Sequence, residues 1–107
     1  MINTPAGWVP VGRAVYEDAL SAAVELTDTP DAGDALPANA NCAIIYITGQ
    51  PLYWEMDGTA ATSSQPLYPK DQFIIVDNSR DILVKSSFLE SAASGRLNCW
   101  YFLSPGG

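Results

Sequence analysis

The sequence predicts an all-β fold, a small antiparallel β-sandwich or barrel built as one domain. Short runs rich in β-branched and aromatic residues recur from residue 41 onward, and Gly, Pro, Asn and Asp separate them. Several of these runs alternate apolar and polar residues, as half-buried strands do. The chain has 107 residues, of which 48% are hydrophobic, so one domain with a proper core is expected.

The first twelve residues, MINTPAGWVPVG, predict an extended N-terminal arm ahead of a single domain at 13–107. Two prolines and two glycines prevent a helix there. Trp8 cannot bury itself within so short a segment, so it either packs onto its own domain or anchors to a partner. Tryptophan is enriched at the energetic centres of interfaces. Trp8, Val9, Pro10 and Val11 are therefore the candidate partner-binding residues.

Residues 13–26 fit two patterns. Val15, Ala19, Ala22 and Leu26 recur at helical spacing, whereas residues 22–27 also alternate as a half-buried strand. A strand is favoured for 22–27, and 13–20 stay open between helix and strand. Residues 27–40 predict a loop, and their three aspartates lack the spacing of an EF-hand. A solvated acidic loop is expected.

Five strands are predicted in the remainder of the chain. They are NCAIIYITG (41–49), PLYWEMDG (51–58), QFIIVD (72–77), DILVKSSFL (81–89) and RLNCWYFL (96–103). The last is apolar on both faces: Leu97, Cys99, Tyr101 and Leu103 alternate with Trp100 and Phe102. One face is expected to fill the core, and the arm, a loop or a second subunit is expected to cover the other.

Composition excludes several classes of function. Twelve acidic residues against five basic ones give a net charge of −7, so a basic patch for nucleic acid is not expected. The absence of histidine removes the usual general base and the commonest zinc ligand. No apolar run approaches the ~20 residues of a membrane span, and the N-terminus does not look like a signal peptide. We therefore expect a soluble protein made in a cytoplasm, without cofactor or metal.

Candidate reactive residues each have a simpler interpretation. Glu55 and Asp57 lie two apart on a predicted strand, but a paired-carboxylate hydrolase also needs a groove and an environment that separates two pKa values. We interpret them as the solvated side of the strand and the start of an Asp-Gly turn. Cys42 and Cys99 could be bonded across a sheet, although two buried thiols are the default. Tyr53 and Trp100 could form a sugar-stacking platform. No catalytic residue and no small-molecule substrate are predicted.

The stretch LYWEMDGTAAT (52–62) resembles a motif of small virion proteins of tailed bacteriophages. In these proteins a strand of the type V-R-W-R-D-D-G is followed by T-A-P-T. The matching residues are Trp54, Asp57, Gly58, Thr59, Ala60 and Thr62. Ala61 replaces the proline, and Tyr53 and Glu55 replace the arginines. The flanking segments agree in order over roughly residues 22–103.

The resemblance implies a jelly-roll-like β-sandwich with a structural role on the virion. The implied function is that of a capsid decoration (cement) protein on the outer head, assembled in the host cytoplasm. Its implied partners are the major capsid protein and further copies of itself, with a trimer favoured. A tail, neck or baseplate component is the alternative within the same class. A carbohydrate-binding module of a host-recognition apparatus is the alternative from another class.

Overall fold

The computed structural model describes residues 7–17, 19–64 and 66–104. Its elements, in chain order, are β1 (Val9–Tyr16), a 3-10 helix (Ala19–Ser21), β2 (Val24–Glu25), β3 (Ala32–Gly33), β4 (Cys42–Thr48), β5 (Leu52–Glu55), β6 (Leu67–Tyr68), β7 (Gln72–Val76), α1 (Arg80–Lys85), β8 (Ser87–Glu90) and β9 (Arg96–Leu103). No helix among these residues is long and apolar enough to cross a membrane.

The strands form two antiparallel sheets, which confirms the prediction of a β-rich fold. The first sheet has the order β3-β1-β9-β4-β7, and the second has the order β2-β8-β5-β6. Strand β9 lies in the middle of the first sheet, where it pairs along its length with both β1 and β4. Its backbone is therefore hydrogen-bonded along both edges.

One hydrophobic core takes side chains from both sheets. Alternate residues of β4 and β9 point into it, and Leu52 and Phe88 join it from the second sheet. The inward residues of the two central strands are Ala43, Ile45, Ile47, Leu97, Cys99 and Tyr101, all fully buried. Three of the four residues predicted to share a face of the last strand therefore fill the core, while Leu103 at the strand end is exposed.

The single strand predicted over 81–89 is wrong. The segment divides into α1 and β8, with Ser86 between them. Ile82 and Leu83 are neighbours and both pack against the core, whereas a strand would point them to opposite faces. An ion pair between Lys85 and Asp81, at 3.3 Å and four residues apart, adds to the helical geometry.

Residues 13–20, for which the sequence allowed either helix or strand, begin as a strand. β1 extends to Tyr16, and the strand favoured for 22–27 is confined to β2. The Tyr16 hydroxyl donates to the carbonyl oxygens of Leu26, at 3.2 Å, and Asp28, at 2.7 Å. The Asp28 carboxylate in turn accepts from the backbone N–H of Glu25 at 2.8 Å. The acidic loop is thus held by local hydrogen bonds, and it contains the short strand β3.

The predicted arm overlaps with β1. Residues 9–12 belong to this strand, which pairs with β9 from Val9 opposite Leu103 onward and is irregular between Pro10 and Gly12. The structure therefore has no break at the predicted boundary between residues 12 and 13. Residues 1–6 of the predicted arm lie outside the described residues.

The two cysteines are free and buried. They lie on adjacent strands, but Cys42 is opposite Phe102 while Cys99 is opposite Ile45. Cys99 points into the core and Cys42 belongs to a separate cluster with Ile44 and Phe102. Because the two side chains leave the sheet on opposite faces, they cannot be bonded to each other.

Candidate interaction surface

The face of the five-stranded sheet that points away from the core is largely apolar. The strand registers place two rows of side chains across it, Arg13–Trp100–Ile44–Ile75 and Val15–Asn98–Tyr46–Phe73. We call these eight residues, together with Trp8, Cys42 and Phe102, the outer face. An amphipathic strand would place polar residues here, so this face has the composition of a surface that becomes covered.

Aromatic contacts organise the outer face. Trp8 packs on Phe102 with ring centroids 5.3 Å apart, and Tyr46 stacks on Phe73 at 4.6 Å. The Arg13 guanidinium lies over the Trp100 ring, 5.5 Å from its centroid. Such pairs hold large side chains in defined positions.

Apolar exposure on this face is concentrated at β7, and five of its eleven residues are buried: Val15, Cys42, Ile44, Asn98 and Phe102. Phe73 is 43% exposed and Ile75 is 57% exposed, while Ile44 beside them is buried. Trp8, Tyr46 and Trp100 are partly buried. The outer face thus presents an apolar strip at one side of the sheet.

None of the eleven residues of the outer face is acidic, although the chain has a net charge of −7; two aspartate side chains contact it at the β7 end. Its only charged member is Arg13. Two aspartates border it: Asp71 accepts a hydrogen bond from the Tyr46 hydroxyl at 3.3 Å, and Asp77 lies 3.8 Å from the Cys42 sulfur. Away from these two aspartates the face is apolar, so a surface that covers it there would bury few unpaired carboxylates.

The structure places the four candidate arm residues at the edge of this surface. Trp8 packs onto the outer face, and Val11 packs against the main core. Val9 and Pro10 are exposed. Of the two alternatives for Trp8, its own domain supplies the contact in the isolated chain. A partner contact for these residues stays a prediction.

The turn that resembles the phage motif holds together the end of β5 and the end of α1. The indole N–H of Trp54 donates to the Ser86 hydroxyl at 3.1 Å, and its ring stacks on Phe88. The Gly58 N–H donates to the carbonyl oxygen of Lys85 at 3.1 Å, with a positive φ of 91° that glycine adopts without strain.

The polar residues of the same turn bond to each other. The Asp57 carboxylate accepts from the Thr59 N–H at 2.9 Å and from the Thr59 hydroxyl. These hydrogen bonds lower the pKa of Asp57. The Thr62 hydroxyl oxygen accepts from the Ser64 N–H at 3.3 Å. The five motif residues Trp54, Asp57, Gly58, Thr59 and Thr62 therefore have structural contacts that account for them.

The alternative chemical sites do not assemble in the described part of the chain. The Glu55 carboxylate accepts from the adjacent Met56 N–H at 2.8 Å, so it is occupied locally, as Asp57 is. Tyr53 and Trp100 lie in different sheets and do not form one platform. No group of three or more acidic, cysteine or histidine side chains among the described residues could hold a metal ion.

A shallow depression of about 400 Å³ lies beside Glu17, Ser21 and Glu90. Glu17 is paired with Arg96 at 3.6 Å. The depression brings together carboxylates and small side chains.

No protein-family model, curated protein or solved structure matches this chain.

Sequence reasoning identified the outward residues of β9 but missed their neighbours on β4 and β7. The signal was present, because CAIIYI and FIIV are continuous apolar runs, which indicate strands buried on both faces. Reading those runs across the sheet requires the strand order, which only the structure supplies.

Proposed function

We propose that this chain is a structural protein of a tailed-bacteriophage virion, a capsid decoration (cement) protein. In this proposal it binds the outer surface of the head and cross-bridges major capsid proteins against the pressure of packaged DNA. The observation that carries the proposal is the outer face, a largely apolar and aromatic sheet surface on an acidic domain, with two aspartates at its β7 margin. A surface of this composition serves binding and offers no chemistry.

The strand order supports a jelly-roll sandwich. With the two-residue β3 left aside, the first strand pairs with the last, β2 with β8, β4 with β7 and β5 with β6. A long hairpin whose strands pair in this nested way and then wrap into two sheets is a jelly roll. Viral capsid proteins and lectins both use that fold, so it fits the proposal without deciding between them.

The outer face suits a repeated contact of moderate strength. A standard protein interface buries ~800 Å² on each partner and takes most of its free energy from a few aromatic or arginine anchors. Trp8, Trp100 and Arg13 lie together and can serve as anchors. Many copies on one lattice add avidity, so each contact can be weak while the layer is stable.

Co-sedimentation with heads tests the proposal. The purified chain is mixed with heads that lack it, and the bound fraction is measured against concentration. Trp8→Ala is expected to weaken binding at least tenfold, since a well-packed tryptophan anchor contributes ~2 kcal/mol or more. Met56→Ala, which truncates an exposed side chain that is not on the outer face, is the matched control.

A deletion variant separates the contribution of the N-terminal residues to head binding from that of the sheet. Removing residues 1–6 leaves β1 intact, whereas removing 1–12 would delete half of that strand. Absence of binding by the unchanged chain, or equal binding by Trp8→Ala and Met56→Ala, would refute the proposal that this face contacts the head. Binding to purified tails in place of heads would favour the tail, neck or baseplate alternative.

One observation favours the carbohydrate-binding alternative. The stacked Tyr46 and Phe73 rings lie beside the Asp71 carboxylate, and sugars bind to aromatic faces flanked by hydrogen-bonding groups. Binding of the isolated domain to a glycan array, abolished by Phe73→Ala, would support a host-recognition module. A silent array together with head binding would support the cement protein.

A further inference from the structure

We propose that β7 is a pairing edge through which two copies of this chain join their five-stranded sheets. The two β7 strands would run antiparallel about a twofold axis that is perpendicular to the sheet and passes midway between Ile74 of one copy and Ile74 of the other. The inference does not depend on the virion role, since it rests on the edge strand itself.

The four sheet edges differ in a way that singles out β7. Among the described strands, β2, β3 and β6 are edges of two residues each, whereas β7 is an edge of five. Very short edge strands are a common protection against unwanted pairing, as are proline, lysine and bulges. Residues 72–76, QFIIV, contain none of these. No backbone hydrogen bond outside the β4–β7 ladder involves them in the described part of the chain.

The exposed side chains of β7 are complementary to their own copies. Antiparallel pairing about an axis perpendicular to the sheet keeps the same face outward in both copies, so opposite residues must share a face. With Ile74 at the centre, Phe73 of one copy lies opposite Ile75 of the other, and the reverse holds by symmetry. The two exposed apolar residues of the strand thus cover each other, as an aromatic and β-branched cross-strand pair.

Charge sets the conditions under which the pairing forms. In this register the exposed Asp71 of one copy comes opposite Asp77 of the other, at both ends of the paired segment. Like charges opposite each other oppose pairing, and salt screens them. Added salt should therefore strengthen the dimer, the reverse of what an ion-paired interface would show.

The pairing is expected to be weak in dilute solution. Five residues at strand rise span ~17 Å, which is a small contact compared with the ~1,600 Å² of a standard interface. Such a weak contact can still form when many copies are bound side by side on another surface, because their high effective concentration compensates for the low affinity of each pair. A twofold edge pairing gives dimers, so the trimer implied by the phage resemblance would need a different contact.

Sedimentation of the unchanged chain tests the pairing first. We expect a monomer–dimer equilibrium that shifts toward dimer as protein and salt concentrations rise. Ile75→Lys places a charge on the exposed pairing strand and is expected to weaken the dimer at least tenfold. Val84→Lys makes the same change at a comparably exposed site on α1 and should leave the equilibrium unchanged.

Disulfide trapping tests the register. Residues directly opposite each other in an antiparallel pair have Cα atoms ~4.5–5.5 Å apart, within reach of a disulfide. The double variant Phe73→Cys with Ile75→Cys should therefore form a covalent dimer under mild oxidation. Phe73→Cys alone should not, because the same residue in the two copies is ~7–8 Å apart on the diagonal. The native cysteines are buried and do not compete.

Three outcomes would overturn the inference. They are a strictly monomeric chain at millimolar concentration in high salt, a dimer that tolerates Ile75→Lys as well as Val84→Lys, and cross-linking by Phe73→Cys alone. If Ile75→Lys still binds heads, the proposed function is supported independently of the pairing. Sedimentation of the same variant then tests the β7 pairing on its own. Loss of head binding in Trp8→Ala with an unchanged dimer would separate the two surfaces.

Discussion

Replacing Tyr101 by phenylalanine should stabilise this protein. The Tyr101 hydroxyl is buried in the core and has no nitrogen or oxygen hydrogen-bond partner among the described residues. The adjacent Cys99 side chain interacts with it, but a thiol is a weak donor and acceptor that does not replace water. Burial raises the pKa of Tyr101 well above its usual range, because the charged form cannot be hydrated there.

The expected magnitude follows from the cost of the unpaired hydroxyl. Burying a polar group without a partner costs about 1–3 kcal/mol. Removing the oxygen leaves a small gap, which reduces the gain. We expect the free energy of unfolding of Tyr101→Phe to rise by about 1 kcal/mol, which is a rise in Tm of roughly 4–8 °C for a domain of this size.

Tyr16 supplies the matched control. It is also a fully buried tyrosine of the same core, but its hydroxyl donates to the carbonyl oxygens of Leu26 and Asp28. Tyr16→Phe should therefore lower the free energy of unfolding by about 1–2 kcal/mol. Urea unfolding followed by tryptophan fluorescence measures both variants. Equal destabilisation of the two variants would refute the reasoning and would indicate that a buried water or other group satisfies Tyr101.

Three further predictions concern alkaline pH, backbone conformation and the motif turn. Burial raises the pKa of Cys99 to about 12, whereas the unfolded thiol ionises near 9. The free energy of unfolding should therefore be unaffected by this group below pH 9 and should fall above it by up to ~1.4 kcal/mol per pH unit. Cys99→Ala should reduce that slope in urea titrations carried out at a series of pH values. Gly33→Ala should cost about 2–3 kcal/mol in the same assay, since φ is +85° and the added methyl meets a backbone carbonyl of β1. Gly58→Ala, with φ of +91° and only an ordinary contact with the Lys85 side chain, should cost only ~1 kcal/mol. Trp54→Phe should lose about 1 kcal/mol with the hydrogen bond to Ser86 but leave head binding unchanged; loss of binding at unchanged stability would instead make the motif turn a contact site.

Much of the strand content followed from local pattern. The segments that became β4, β5, β7 and β9 combine β-branched and aromatic residues with turn signals at their ends, and local chemistry alone favours strand there. The segment 81–89 misled because Ile, Leu and Val are common to strands and buried helices. The segment forms a helix because Ile82 and Leu83 both pack against the core, and this requirement arises from tertiary packing that the local sequence does not reveal.

The candidate surface could be predicted only in part. The two-faced apolar pattern of β9 showed that something must cover its outward side. Which side chains share that side depends on the neighbours of β9, and pairing between residues as distant as Arg13 and Trp100 leaves no local signature. The placement of Trp8 shows the same limit, since the sequence identified a residue that needed a contact and the fold supplied Phe102.

The central position of β9 has a consequence for how the chain is made. Until residues 96–103 have left the ribosome, β1 and β4 lack the strand that lies between them, and the first sheet cannot form. Until then the growing chain carries exposed apolar strands, a state prone to aggregation. Folding of this sheet should wait for residues 96–103, be slow because its contacts are distant in sequence, and be abolished by truncations that remove β9.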